Sequence, residues 1–493
     1  MKNLGREATY RQALYHTRRH FLRSCTTGLG ALALGALSGC GSKITAQASF
    51  GIDSNATQLP HFASKAKRVI FLHMAGAPSQ LELFQYKPKL ANLHGKPCPE
   101  SLVEGKRFAF IRGTPKMLGP QAQFNQYGEN GTWLSERLPH FSRVVDDVCF
   151  LHAMHTDEFN HAPAQLFMHS GSPRLGRPSM GSWVTYGLGS ENENLPGFVV
   201  LISGGTNPDA GKSIWGSGFL PSIYQGVRCR SKGDPVLYLT DPKGVNRDLR
   251  KKTIETINEI NQKEYEEMQD QEILTRIAQY EMAFRMQISV PEAMDISSEP
   301  RYVQDAYGIE PGKESFANNC LLARRMAERG VRFIQLFHWG WDSHGVDATE
   351  GLNAGFKDRC REIDQPMTAL LEDLKQRGML DETLVIWGGE FGRTPMQETL
   401  GDVVNNRPFV GRDHHKEAFT MWIAGGGVKA GMSFGQTDEL GYYGVKGKVH
   451  IHDLQATILN QLGFDHEHLT YRFQGRDFRL TDVHGRVIKE ILA

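Results

Sequence analysis

Short apolar runs punctuate an otherwise mixed chain, and their spacing lays out most of a fold. Val69-Ile70-Phe71-Leu72, Val148-Cys149-Phe150-Leu151, Phe198-Val199-Val200-Leu201-Ile202, the stretch from Val331 to Leu336, Leu384-Val385-Ile386-Trp387 and Thr420-Met421-Trp422-Ile423 are apolar with little alternation. Runs of this length predict strands buried on both faces. Stretches of helical period stand between several of them. Residues 356–377 place Ile363, Met367, Leu370, Leu371 and Leu374 at helical spacing and stop at Gly378, and residues 315–329 stop at Gly330, directly before the run at Val331. Strand, helix and strand in succession predict parallel pairing among the last three runs. The fold class is therefore α/β, with a mostly parallel central sheet and helices on both faces. The charged segment near 250–290, with Ile254, Ile257, Ile260 and Tyr265 on one stripe, reads as an inserted helical hairpin or cap.

The first 66 residues belong to a different class. Arg18, Arg19 and Arg23 precede a short apolar core from Gly28 to Leu37, and Cys40 follows small residues. This order is similar to a twin-arginine export signal joined to a lipid-attachment site, with residues 1–39 removed and Cys40 lipidated. The protein is then exported, to the periplasm or cell surface, and touches the membrane only through its anchor. Cleavage after Ala46-Gln47-Ala48 is the alternative and would leave no lipid. The apolar run is far short of the roughly 20 residues that cross a bilayer. Residues 40–66, rich in Ser, Ala, Thr and Gln, read as a flexible tether, and residues 67–493 as the α/β domain.

Charge changes the picture once the leader is set aside. The formal net charge is +1, but residues 1–39 hold six Lys or Arg against one Glu, leaving 50 basic and 54 acidic residues in the remainder. No basic tract suggests a nucleic-acid partner. Beyond Cys25 and Cys40, Cys98, Cys149, Cys229, Cys320 and Cys360 are widely scattered without metal-type spacing, so buried free thiols are expected.

Histidine placement is the informative chemistry. His152, His155, His161 and His169 crowd one window, none occurs between His169 and His338, and His338, His344, His414, His415, His450 and His452 cluster about later strand ends. Ligands of open parallel sheets sit beyond the carboxyl ends of strands. Asp342 and His344 follow the strand near 331–337, Glu390 follows the next, and His414 and His415 precede the last. Mixed carboxylate and imidazole donors suit zinc or manganese better than the oxygen-seeking calcium and magnesium. The metal set read from these positions is Asp342, His344, Glu390, His414 and His415, holding one or two divalent ions.

Asp342-Ser343-His344-Gly345, the stretch from Thr383 to Gly392, and His414-His415 ahead of the run ending Gly425-Gly426-Gly427 resemble the metal-site order of the alkaline phosphatase and sulfatase superfamily. More closely, Gly76-Ala77-Pro78-Ser79-Gln80, Asn160-His161-Ala162-Pro163-Ala164, the stretch from Pro178 to Gly189, Trp341-Asp342-Ser343-His344, Gly389 to Pro395, and Gly475 to Asp482 resemble an exported, sulfatase-like bacterial family of unknown function in that superfamily. The resemblance implies a metal-dependent hydrolase of phosphate or sulfate esters, whose substrate is a small molecule or a polysaccharide. Departures qualify it. Glu390-Phe391-Gly392 stands where the superfamily has Asp-His-Gly, the first strand offers His73 where an Asp is usual, and no C/S-x-P-x-R nucleophile occurs. A standard sulfatase mechanism is thereby excluded.

The catalytic candidates are Thr156 as nucleophile, if not a helix cap; Asn160 as a donor to an ester oxygen; His161 as general acid; and Arg393 as an anion grip. The alternative function is a non-catalytic surface protein of the same fold that binds anionic polysaccharide, and a purely structural role is the third reading. Asp453 is expected to cap a helix, with His450 or His452 as a substitute late ligand.

Overall fold

The computed structural model describes residues 60–233, 235–236, 246–399 and 408–493. The leader, Cys40 and most of the tether lie outside these residues. Each apolar run forms a strand. The central sheet contains β1 (Arg68–Ala75), β2 (Val148–His155), β3 (Phe198–Ser203), β4 (Val227–Cys229), β5 (Phe333–Trp339) and β6 (Thr383–Gly388). After a small ladder of β7 (Gly392–Arg393) and β8 (His414–His415), it gains β9 (Phe419–Ala424), β10 (Met432–Phe434) and β11 (Val449–His450). The helices used below are α1 (His161–Ser170), α2 (Met180–Leu188), α3 (Arg247–Met268), α4 (Gln271–Met294), α5 (Phe316–Glu328), α6 (Gly355–Gln376) and α7 (Ile451–Gln461). Helices α3 and α4 are the hairpin that the charged segment foretells.

Across the sheet the order is β10-β2-β9-β6-β1-β5-β3-β4, with β11 also alongside β2. Strand β1 runs parallel to both β5 and β6, and β3 parallel to β5 and β4. The expected parallel pairing fails at β9, which is antiparallel to both β6 and β2. A parallel return needs a crossover to the opposite edge, usually through a helix. Among the described residues the 389–418 connection has no helix, only the β7–β8 ladder, so the chain turns back at the carboxyl edge and enters β9 from there. This reversal delivers His414 to the edge where β1, β2, β5 and β6 end.

Alternation along the strands divides the core into two layers. Ile70, Leu72, Ile334, Leu336, Val385, Trp387 and Trp422 face one side, packed with Phe356, Ile363, Met367 and Leu370 of α6 and Leu321 and Leu322 of α5. Val69, Phe71, Phe333, Phe337, Leu384, Ile386, Met421 and Ile423 face the other, under Leu166 and Phe167 of α1, Trp183 of α2, and Leu454 and Ile458 of α7. Helices thus cover both faces, and each fully buried Leu, Ile or Phe contributes about 1.5–3 kcal/mol. Cys98, Cys149, Cys229, Cys320 and Cys360 are free and buried. Burial pushes the Cys98 thiol up to about 11 and the Cys149 and Cys229 thiols up to about 12, which leaves them unreactive.

Candidate metal centre

Three segments at the carboxyl edge bring His161, Asp342, His344 and His414 together, with one ligand-type atom from each within 4.8 Å of the others. His161 opens α1, following Asn160 at the cap position in extended conformation. Asp342 and His344 follow β5, and two glycines let neighbouring chain lie flush against them. Gly76, just past β1, has φ +107°, and a Cβ there would lie 2.5 Å from the Asp342 nitrogen. A Cβ on Gly411 would lie 2.0 Å from the His344 carbonyl carbon. Side chains at either position would push the ligand loop outward.

The histidines share one arrangement. His161 Nδ1–H donates to Glu390 Oε1 (2.7 Å), His414 Nδ1–H donates to the Phe159 carbonyl (2.7 Å), and His344 Nδ1–H donates to Glu398. With each Nδ1 committed as a donor, the Nε2 atoms all turn inward, and each offers a lone pair there once a cation displaces any proton it carries. Those Nε2 atoms lie 3.2, 2.6 and 3.4 Å from Asp342 Oδ1 for His161, His344 and His414. Acceptors behind each imidazole are what orient metal-binding histidines. The His161, His344 and His414 side chains are 15%, 8% and 3% exposed, whereas Asp342 is 33% exposed and opens the cluster to solvent.

Charge is concentrated here. Burial opposes the ionised form of Asp342, but Arg393 and the three imidazoles outweigh it and hold the carboxyl far below the usual range. Burial also works against protonated His161, yet Asp342 and Glu390 on either side raise it to about 9. Burial lowers His414 to about 3, aided by the charges of Arg393 and His161. Burial similarly pushes the Glu398 carboxyl up, against the pull of His344.

Three of the expected site residues occupy other positions. His415 points away because successive strand residues face opposite sides, so His414 and His415 cannot both reach one point. Its Nε2–H donates to the Tyr442 carbonyl at 2.6 Å. Glu390 stands behind His161 rather than within the four-residue group: Oε1 also accepts from Gly76 N and Gln165 Nε2, both at 3.1 Å. Arg393 is fully buried, its guanidinium donating to the carbonyls of Ala77, Arg412 and Gly76 and to Asp342 Oδ1 at 2.5 Å. It pins the loops instead of gripping a substrate.

Thr156 follows β2 with its hydroxyl buried and unpartnered, and it caps no helix. Asn160 is exposed, and its side chain makes no capping bond. His450 and Asp453 form a reciprocal cap at the start of α7, and His452 Nε2–H donates to the Gly171 carbonyl at 3.1 Å, so neither histidine joins the cluster.

Other contributors carry weak sequence signals. Glu398 and Phe110 lie in aperiodic loops. Asp413 accepts from the Phe110 and Ile111 amides (2.8 and 3.0 Å), holding the Phe110 ring edge-on to His344 at 4.7 Å between centroids. Phe391 lies 4.6 Å from the His414 ring and 4.9 Å from that of His161, so apolar walls flank the imidazoles. A separate cavity of ≈ 580 Å³, lined in part by Tyr86, Trp133 and His152, includes none of the four cluster residues.

Fold and site together define an α/β protein with a histidine–aspartate cluster at the carboxyl edge of a mostly parallel sheet. The chain belongs to the family described as protein of unknown function (DUF1501), whose model matches residues 66–492. No curated protein matches it by sequence. Solved structures similar to it include the PsFucS1 sulfatase from Pseudoalteromonas sp., at 12% identity and TM-score 0.36, covering 82% of this chain and 68% of that one. A protein in the alkaline phosphatase superfamily from Vibrio parahaemolyticus matches at 10% identity and TM-score 0.33, covering 84% and 70%. The phosphonate monoester hydrolase SpPMH from Silicibacter pomeroyi matches at 11% identity and TM-score 0.34, covering 87% and 76%.

Proposed function

We propose that this protein is an exported, metal-dependent hydrolase of phosphate or sulfate esters. One divalent cation, zinc or manganese, would be held by His161, Asp342, His344 and His414. The observation that carries this reading is the convergence of three Nε2 atoms on Asp342 Oδ1 while each Nδ1 is tied to an acceptor behind it. Three imidazoles and one carboxylate are a donor set of borderline softness, and Asp342 keeps one side open to solvent.

Bound there, a divalent cation supplies Lewis-acid stabilisation of charge on an ester oxygen and a nucleophile at neutral pH. The chain's own residues do the rest. Glu390, Glu398 and the Phe159 carbonyl fix the three rings. Arg393 fixes the Asp342 carboxylate, and Phe110 and Phe391 restrict water beside the imidazoles. Water fits the nucleophile's role better than Thr156, whose hydroxyl is sealed at 4% residue exposure. Among the described residues no helix is long and apolar enough to cross a membrane. The export signal and the lipid on Cys40 belong to this proposal and are testable by labelling with a lipid precursor.

The test is turnover of aryl phosphate, phosphodiester and sulfate esters by purified protein, before and after chelation. Metal-dependent release of the aryl group supports the hydrolase. Bound metal with no turnover on any ester, but saturable binding of anionic polysaccharide, would instead favour the non-catalytic binder.

A further inference from the structure

Behind Glu390, away from solvent, a line of polar side chains runs into the layer between α1 and the sheet. His73 Nε2 lies 3.3 Å from Glu390 Oε2, close enough for an ion pair, and neither atom has a hydrogen-bond partner elsewhere, which leaves each available only to the other. His73 Nδ1 lies 3.2 Å from His169 Nε2, and His169 Nδ1 lies 3.0 Å from Gln335 Nε2. All four residues are at most 1% exposed. Phe71 and Phe337 surround the two rings at 5.2–5.4 Å from His169. His161, Gln165 and His169 stand four residues apart on α1, so one helical face serves both ends of the line.

Only one direction of donation satisfies every member. The ionised Glu390 carboxylate only accepts, so His73 must turn Nε2–H toward it. A neutral His73 then accepts at Nδ1, which requires His169 to donate from Nε2. His169 in turn accepts at Nδ1 from the Gln335 amide, the one group in the line whose donor cannot change places with its acceptor on a single atom. Reversing Gln335 would set the His73 Nε2 lone pair against the carboxylate. In a dry layer such bonds reinforce one another, and a misdirected member is costly.

We propose that Gln335, His169 and His73 are positioning residues for the metal centre, a buried donor-ordered chain that fixes Glu390 as an acceptor and so presents His161 Nε2 to the cation. This rests on the metal-centre reading above. An apolar layer needs none of these groups for stability: replacing the whole line by apolar groups of similar shape is close to neutral, whereas replacing one member strands its neighbour, which is why unfolding is followed beside affinity.

The test is zinc affinity of the full chain, measured by competition with a chromophoric chelator at fixed pH, alongside thermal unfolding of the metal-free protein. His73→Leu and Gln335→Met should each weaken zinc binding about 10–100-fold. In a His161→Ala background, His73→Leu should cause no further loss, because the chain acts through that ring. Should His73→Leu not fold, Gln335→Met, two links further from the site, carries the test. Unchanged affinity in a folded variant, or an equal loss with and without His161, overturns the proposal. Wild-type protein that binds no zinc or manganese overturns the metal-centre reading and this one with it, whereas tight wild-type binding with unaffected variants overturns this one alone.

Discussion

His344 and His414 face each other Nε2 to Nε2 at 3.1 Å, while the Nδ1–H of each donates outward, to Glu398 and to the Phe159 carbonyl. Both Nε2 atoms also lie close to Asp342 Oδ1, at 2.6 and 3.4 Å, so a single cation taking the place of the shared protons can be held by both rings and the carboxylate together. His344→Ala should therefore lower bound zinc or manganese per chain, with unfolding of the metal-free protein little changed. Elemental analysis of purified wild type and variant checks this, and equal metal content would remove His344 from the ligand set.

Glu398 acts on the cluster only through His344. Glu398→Gln retains an acceptor but loses the charge, and Glu398→Ala loses both. Metal affinity should fall in that order, reaching about 10–100-fold for alanine. Titration against a competing chelator measures both variants, and an alanine variant as tight as wild type would assign Glu398 a packing role.

The loops around the site are tied by a buried ion pair. Arg412 and Glu82 are 0% and 1% exposed, and the guanidinium donates twice to Glu82 Oε1, at 3.1 and 2.7 Å. Removing one partner strands the other charge in the interior, which costs about 3–5 kcal/mol. Glu82→Leu should lose that much in denaturant unfolding. A loss under 1 kcal/mol would mean that water reaches Arg412.

Acid should weaken the fold partly through His452, which is 4% exposed. Burial lowers its pKa to about 4, against about 6.5 in an unfolded chain. Above pH 6.5 the ring is neutral in both states and has no effect. Between about 6.5 and 4 the unfolded chain takes up a proton that the folded chain refuses, so stability falls with pH, by about 2 kcal/mol at pH 5. His452→Gln, which keeps a donor for the Gly171 carbonyl, should lose about 2 kcal/mol less than wild type between pH 7.5 and 5. Parallel pH profiles of the two proteins would count against this assignment.

The linear chain carried a good deal of this in its own pattern. Strand positions followed from apolar runs such as Val69 to Leu72 and Leu384 to Trp387, because a strand buried on both faces cannot spare polar positions. The face of α6 followed from spacing, and the carboxyl-edge location of Asp342 and His344 followed from where the strand before them stops, whereas His414 reached that edge only through the antiparallel entry of β9. Tertiary structure decided the rest. The antiparallel entry of β9 depends on how the 389–418 connection closes, which hydropathy does not encode. Choosing His414 over His415 required the register of a two-residue ladder, since alternation sends neighbours to opposite sides. Arg393, Glu390 and Glu398 reveal their roles only through partners far along the chain, such as Gly76, His161 and His344. A side chain's type limits what it can donate or accept, but the fold alone sets which distant group it meets.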